Sequence, residues 1–433
     1  MVIPSIDLQG GSTVQLVGGR DKALDAGDPR PILERFALAG EVAVIDLDAA
    51  IGGSSNQGLI RELVRLRPCR VGGGIRSVER AIEWLDAGAS KVILGTAATP
   101  EILRELPRDR VIAAVDAMHG EVVVKGWREG TGERLEDRIG RLREYVGGFL
   151  VTFVEREGRM VGIDLEQVER VVRAAGADAR VTVAGGIATA AEIGAIDALG
   201  ADAQVGMGLY TGRFSLEDAI AAPLSSDRPD GLWPTVVVDE HERALGLCYS
   251  SRESLSRAVQ LRRGVYHSRK RGVWVKGETS GATQELLRVD LDCDRDALRF
   301  VVRQSGTGFC HLETDTCWGP LRGLGALERT LAERRRSAPA GSYSRRLFDD
   351  PALLCAKLRE EADELARALD AATPDERSPQ DRVASEAADV LYFTAVALAR
   401  TGLSLSDVGR VLDHRARTVT RRKGDAKPAR GPT

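Results

Sequence analysis

The sequence predicts a multidomain chain: an α/β (β/α)8 barrel, then a small α+β metal-binding domain, then an all-α helical bundle. Three observations carry that reading. Eight short apolar runs alternate with amphipathic stretches over the first 224 residues; three of the six cysteines crowd between Cys293 and Cys317 beside a run of aspartates; and carboxylates recur at helical spacing past residue 350. At 433 residues the chain is too long for one ordinary core, about 150 residues per domain being a soft guide. The segments read as 1–224, 225–320 and 321–422, with a basic tail at 423–433.

Composition narrows the function. Lys and Arg total 61 against 64 Asp and Glu, a formal net charge of -3, so no global basic field recruits nucleic acid. No run of about eighteen apolar residues suggests a membrane span, and no basic leader precedes an apolar stretch. The expectation is a cytoplasmic protein with neither membrane nor nucleic-acid partners. In a reducing compartment, crowded cysteines argue for a metal before a disulfide.

The eight runs of the first segment are VIPSIDL, EVAVIDLD, RVGGGI, KVILGTA, VIAAVDA, GFLVTF, VTVAGGI and ADAQVGM. They also repeat. Asp7 in IDL is answered by Asp116 in VDA, VGGGI from Val71 by VAGGI from Val183, and Gly95 by Gly206, at offsets of 109, 112 and 111 residues. The repeat puts one carboxylate at the end of the first strand and another at the end of the fifth, across the mouth where such barrels carry their sites. The glycine-rich loops at Gly73-Gly74 with Gly95-Thr96, and Gly185-Gly186 with Gly206 and Gly208, would let backbone N–H groups approach two phosphates at opposite ends of one substrate. IPSIDL, GGGIRS, VDAMHGEVVVKGW and GLYTGRFSLEDA resemble the phosphoribosylformimino-AICAR-phosphate isomerase of histidine biosynthesis. That resemblance implies an Amadori rearrangement without a cofactor, with Asp7 as general base, Asp116 as general acid and Thr152 at a family site position. Gln15 stands where the family carries a cationic Arg and Gly18 where it carries Gln. In TFVEREGR, Phe153 replaces a first acid, Glu157 a second, and Arg159 a threonine.

Past the DRPDGLWP join, Asp290, Asp292, Cys293, Asp294 and Asp296 fall within seven positions, a density of charge that means either a solvated acidic turn or a bound cation. Cys310 and Cys317 can converge with Cys293 on one Zn2+, leaving its fourth position open to water. Read as an extended strand, the segment puts Asp292, Asp294 and Asp296 on the face opposite the thiol, a carboxylate set suited to Mg2+. WVKGETSG, LDCDRDAL and the Cys310-His311 pair followed by Cys317 resemble phosphoribosyl-AMP cyclohydrolase. The resemblance implies hydrolytic opening of an adenine ring, His311 as proton shuttle, and Lys276, Thr279, Ser280 and Gly281 holding substrate phosphate. The run from His267 to Arg271, HSRKR, is more basic than the family's usual stretch.

In the last segment LLCAKLREEADELARAL has a helical period, with Glu360, Glu361 and Glu364 on one side; Glu386 and Asp389 repeat the device on another helix. EExxE followed by ExxD fits helical nucleotide pyrophosphohydrolases, which hold Mg2+ on such carboxylates. With SYSRRLF before them, these residues resemble phosphoribosyl-ATP pyrophosphohydrolase. GLSLSDVGRVLDHRA should close the bundle, with Ser404 or Ser406 near a helix start. The three resemblances imply consecutive chemistry on phosphoribosyl nucleotides and a homodimer formed through the hydrolase segments. The alternative expectation keeps both hydrolases and makes the barrel a ligand-binding or assembly module.

Overall fold

The computed structural model describes residues 1–124, 126–370 and 377–420; the tail expected at 423–433 lies outside them. Among the described residues, compactness divides the chain into two units, Met1–Gly306 with residues 417–420, and Thr307–Ala416.

In the first unit, eight parallel strands close on themselves: Val2–Gln9, Val42–Asp46, Cys69–Gly72, Lys91–Leu94, Val111–Met118, Gly148–Phe153, Arg180–Ala184 and Asp202–Val205. All eight predicted runs supply one. Closure comes from Val2 to Pro4 pairing with Ala203 to Val205, which leaves no free edge among these strands. The strands are short and rich in Val and Ile, as strands buried on both faces must be. Ile45, Ile93, Ile112, Ala114, Leu150 and Ala184 pack together inside, so the barrel is a filled core. Nearer the floor, buried Arg70 reaches Glu41 at 2.8 Å and the Thr182 hydroxyl at 3.1 Å.

The repeat extends beyond the strands. After the first strand a hairpin, Ser12–Val17 and Asp21–Gly27, rises from the mouth; after the fifth a second, Glu121–Val124 and Glu129–Arg134, does the same.

The same unit holds a mixed sheet in the order Ala244–Ser250, Trp233–Val238, Leu298–Gln304 and Gln284–Leu291, with helix Arg252–Leu261 and the hairpin Val265–Ser268 and Gly272–Val275. Tyr266 is fully buried against Phe300 (ring centroids 5.7 Å apart), and its hydroxyl donates to Gln284 Oε1 at 2.6 Å. The sheet region meets the barrel through polar contacts. Gln260 donates to Glu217 at 2.6 Å, Arg262 pairs with Glu34 at 3.4 Å, and Arg295 binds Asp197 through two nitrogens.

The second unit is helical: Gly323–Ser337, Tyr343–Asp349, Pro351–Asp370, Arg377–Thr401 and Leu405–Arg417. Leu331, Leu347, Leu354, Phe393 and Val396 form its core. Ser404 caps the last helix, its hydroxyl accepting from Asp407 N at 3.3 Å, as the sequence anticipated. Among the described residues no single helix is long and apolar enough to cross a membrane.

Candidate active sites

At the barrel mouth Asp7 and Asp116 stand near the ends of strands one and five, facing into the barrel's centre. Burial pushes the Asp7 carboxyl up to about 7, opposed by a 3.2 Å hydrogen bond from the Gln15 amide. Burial also raises Asp116, against hydrogen bonds from the Trp127 and Thr152 side chains. Thr152 sits beside Asp116 in strand register, which places its hydroxyl at that carboxyl. Glu157 is a third member: burial and the charges of Asp7 and Asp116 push it up to about 7. Burial thus pushes all three carboxyls of the mouth toward their protonated forms.

The hairpins roof this cluster. Gly18 N donates to the Glu157 carbonyl at 3.2 Å, and Gly19 lies against the Trp127 ring, with too little room for a side chain there. Trp127, at φ +65°, turns its indole inward. Sequence reading registered Glu157 as a substitution and passed over Trp127; the visible signal for Trp127 was its place at the tip of the hairpin that repeats the one holding Gly18.

The glycines have reasons within the chain itself. Gly73 and Gly185 adopt φ +93° and +94°, and a Cβ on either would collide with a strand-end carbonyl, Asp46 for the first and Phe153 for the second. Gly74 and Gly186 share the left-handed backbone, Gly206 abuts Gln15 and Ser5, and Gly208 faces the Phe214 ring. Gly95 has open space around it, and with Thr96 it is exposed at the rim. Arg159 also stands exposed on its loop.

In the mixed sheet, Asp292, Asp294 and Asp296 bring carboxylate oxygens within 4.8 Å of one another. They do so differently from the expectation. Residues 292–297 form a turn between two strands rather than an extended strand, and Arg295 at φ +67° lets the chain fold back. Asp292 accepts from Asp296 N at 3.0 Å and Ala297 N at 3.1 Å, tightening the turn. Strand alternation is therefore not what gathers the aspartates. Lys276 is buried and donates to the Ala282 carbonyl at 3.3 Å, while Thr279, Ser280 and Gly281 are exposed at the turn's tip. Cys293 is exposed in this unit.

Cys310, His311 and Cys317 belong to the second unit. The Cys310 thiol is held below its ordinary range by the Leu312 backbone N–H and by contacts with Thr314 and Cys317, and His311 Nδ1 lies 3.8 Å from its sulfur. Farther along, Glu361, Glu386 and Asp389 converge within 4.8 Å. Glu361 is 8% exposed, and burial with repulsion from Asp389, Glu364 and Glu360 raises its carboxyl against the pull of Lys357. Glu360 is exposed and paired with Lys357 at 2.9 Å; Glu364 pairs with Arg367 at 3.6 Å. Of the three glutamates on that helix, Glu361 joins the converging set.

A family model described as histidine biosynthesis protein matches residues 1–215, one for phosphoribosyl-AMP cyclohydrolase matches 246–319, and one for phosphoribosyl-ATP pyrophosphohydrolase matches 324–416. The phosphoribosyl imidazole-4-carboxamide isomerase of Haloarcula marismortui is 40% identical over 236 residues, 51% of this chain and 95% of that protein. The chain belongs to the histidine biosynthesis protein family. A histidine biosynthesis trifunctional protein of Komagataella pastoris is 52% identical over 216 residues, 50% of this chain and 25% of its own length. A histidine biosynthesis bifunctional protein of Schizosaccharomyces pombe is 51% identical over 217 residues, half of each chain. This histidine biosynthesis chain thus spans between a quarter and a half of those fungal relatives. The three resemblances read from its motifs are matched segment for segment.

Proposed function

We propose that the chain performs three consecutive steps of histidine biosynthesis in the cytoplasm: release of pyrophosphate from phosphoribosyl-ATP, opening of the adenine ring of phosphoribosyl-AMP, and isomerisation of the resulting aminoaldose. The observation that carries this reading is that three family matches fall in order along the chain, over an isomerase-like, a cyclohydrolase-like and a pyrophosphohydrolase-like domain. We assign those domains to 1–224, 225–320 and 321–422.

In the barrel, burial raises the Asp116 carboxyl and so favours its protonated form, the form that gives a proton to the sugar ring oxygen as the ring opens. Asp7, ionised in about half the molecules near pH 7, takes the proton from C2. Glu157 keeps total charge in the mouth adjustable, and the rim at Gly95 and Thr96 offers backbone to one substrate phosphate.

Both hydrolase sites fit metal ions by donor chemistry: hard carboxylates at 292, 294 and 296 and at 361, 386 and 389 suit Mg2+, and the thiols of Cys293, Cys310 and Cys317 suit Zn2+, that last set resting on the cyclohydrolase resemblance. When bound, such ions supply an activated water and neutralise phosphate charge. His311 would relay the proton from that water. Lys276, Thr279, Ser280 and Gly281 hold phosphate, and Glu361, Glu386 and Asp389 would hold the divalent ion that neutralises the pyrophosphate segment. The hydrolase segments form a homodimer, which light scattering would test.

A second reading makes the barrel a binding module, because the Gln15 amide bonds Asp7 where the resemblance calls for a cationic Arg. Purified protein supplied separately with each substrate decides. Three products support the trifunctional reading, with isomerisation lost in both Asp7→Asn and Asp116→Asn. No turnover of the aminoaldose by wild type at saturation leaves a bifunctional hydrolase.

A further inference from the structure

Arg295 is the cation nearest in sequence to Asp292, Asp294 and Asp296, yet its guanidinium turns away from their carboxylates. Nε and Nη2 bind Asp197 at 2.8 and 3.0 Å, and Nη1 donates to the main-chain carbonyl of Asp292. Asp197 lies at the end of barrel helix Ala190–Ala198, its side chain 8% exposed, and also accepts the Met1 ammonium at 2.6 Å. The Arg295 carbonyl accepts from Ser225 N at 2.9 Å. The turn that gathers three carboxylates is therefore gripped at its centre by the barrel, through a residue held in the left-handed backbone region at φ +67°.

We infer that Asp197 is a positioning residue for the Asp292–Asp294–Asp296 carboxylates, acting through Arg295. This rests on reading those carboxylates as a divalent-cation site. Two effects follow from the contact. A two-nitrogen guanidinium–carboxylate pair with one partner almost fully buried fixes direction as well as distance, so it holds the turn in one conformation. It also engages the charge of Arg295. Released from Asp197, that guanidinium would lie within the acidic turn and compete with a bound cation for the same oxygens.

The test uses the full chain, zinc-loaded and carrying Glu386→Gln and Asp389→Asn so that the other carboxylate cluster is silent. Mn2+ is titrated and free ion read by electron paramagnetic resonance. Asp197→Asn should weaken Mn2+ binding about tenfold at unchanged stoichiometry and Tm. Its ring-opening rate should return to the parent value at saturating Mn2+, a rescue that a globally damaged fold would not show. Should Asp197→Asn prove unfolded, Arg295→Lys, which keeps one donor, should show a smaller loss in the same titration. Parent-like Mn2+ affinity in the folded variant, while Asp294→Asn has lost binding, overturns the positioning role. Parent-like affinity in Asp294→Asn as well removes the cation site itself, and the inference with it.

Discussion

Asp7 keeps its proton to about pH 7 because its carboxyl is buried and the one hydrogen bond it accepts from Gln15 does not offset the lost hydration. In an unfolded chain a carboxyl ionises near pH 4. Between roughly pH 4 and 7 the folded protein thus binds a proton that the unfolded chain lacks, and stability falls across that window and is level above it. Asp7→Asn escapes this loss. Its stability relative to wild type should rise from pH 4 to pH 8, reaching about 2–4 kcal/mol at the upper end by denaturant titration. Equal stability of the two proteins at pH 8 would mean that the carboxyl ionises normally. Trp127→Phe removes a hydrogen bond favouring ionised Asp116, so the Asp116 limb of the isomerisation pH–rate profile should move to higher pH. At this scale the sequence was legible where position alone decides. Asp7 and Asp116 announced themselves as matched strand ends, whereas the contact of Trp127 with Asp116 depends on how the hairpin after the fifth strand folds back over the mouth, which residue order alone does not record.

Among the elements, the barrel strands were readable because doubly buried strands are continuous apolar runs bounded by glycine. The acidic turn was not, because alternation along a strand and a tight turn both bring aspartates together, and the choice depends on Arg295 adopting a left-handed backbone that Asp197 and Ser225 hold. Likewise Glu360 and Glu361 are neighbours in a helical pattern, and the choice falls on Glu361 because that face turns toward helix Arg377–Thr401. Glu361→Gln should therefore stop pyrophosphate release while ring opening of supplied phosphoribosyl-AMP continues. Glu360→Gln, losing one exposed pair with Lys357, should change stability by no more than about 1 kcal/mol and keep activity. The glycine loops separate by the same logic. Gly73→Ala should lower Tm sharply, since its Cβ meets backbone, whereas Gly95→Ala should leave Tm unchanged and raise KM for the aminoaldose if that rim holds phosphate.

For the whole molecule, the division at Gly306 places Cys293 in one compact unit and Cys310 and Cys317 in the other. Boundaries at 224 and 320 were read from the end of the eight-run pattern, the DRPDGLWP join and the extent of the motifs, all visible in sequence, whereas the polar contacts that join the mixed sheet to the barrel, Glu34 with Arg262 and Glu217 with Gln260, are not. Cys310→Ser should abolish ring opening and accumulate phosphoribosyl-AMP while pyrophosphate release persists. A chelator should silence both hydrolytic steps and spare isomerisation, measured with the three substrates in parallel assays. Isomerisation lost along with the others would indicate that metal supports the barrel's fold.

Barrel closure also has a consequence during synthesis. The partners that seal the cylinder, Val2 to Pro4 and Ala203 to Val205, are about two hundred residues apart. At ribosomal speeds of roughly 5–20 residues per second, the first strand waits on the order of 10–40 s for its neighbour. Throughout that interval the edge of an apolar strand is open, and the four βα units already made share a plan with the four still to come. Two nascent chains on one message can then lend each other complementary halves, so holdase chaperones that mask the leading edge should lower the yield of intertwined dimers from a cell-free translation system.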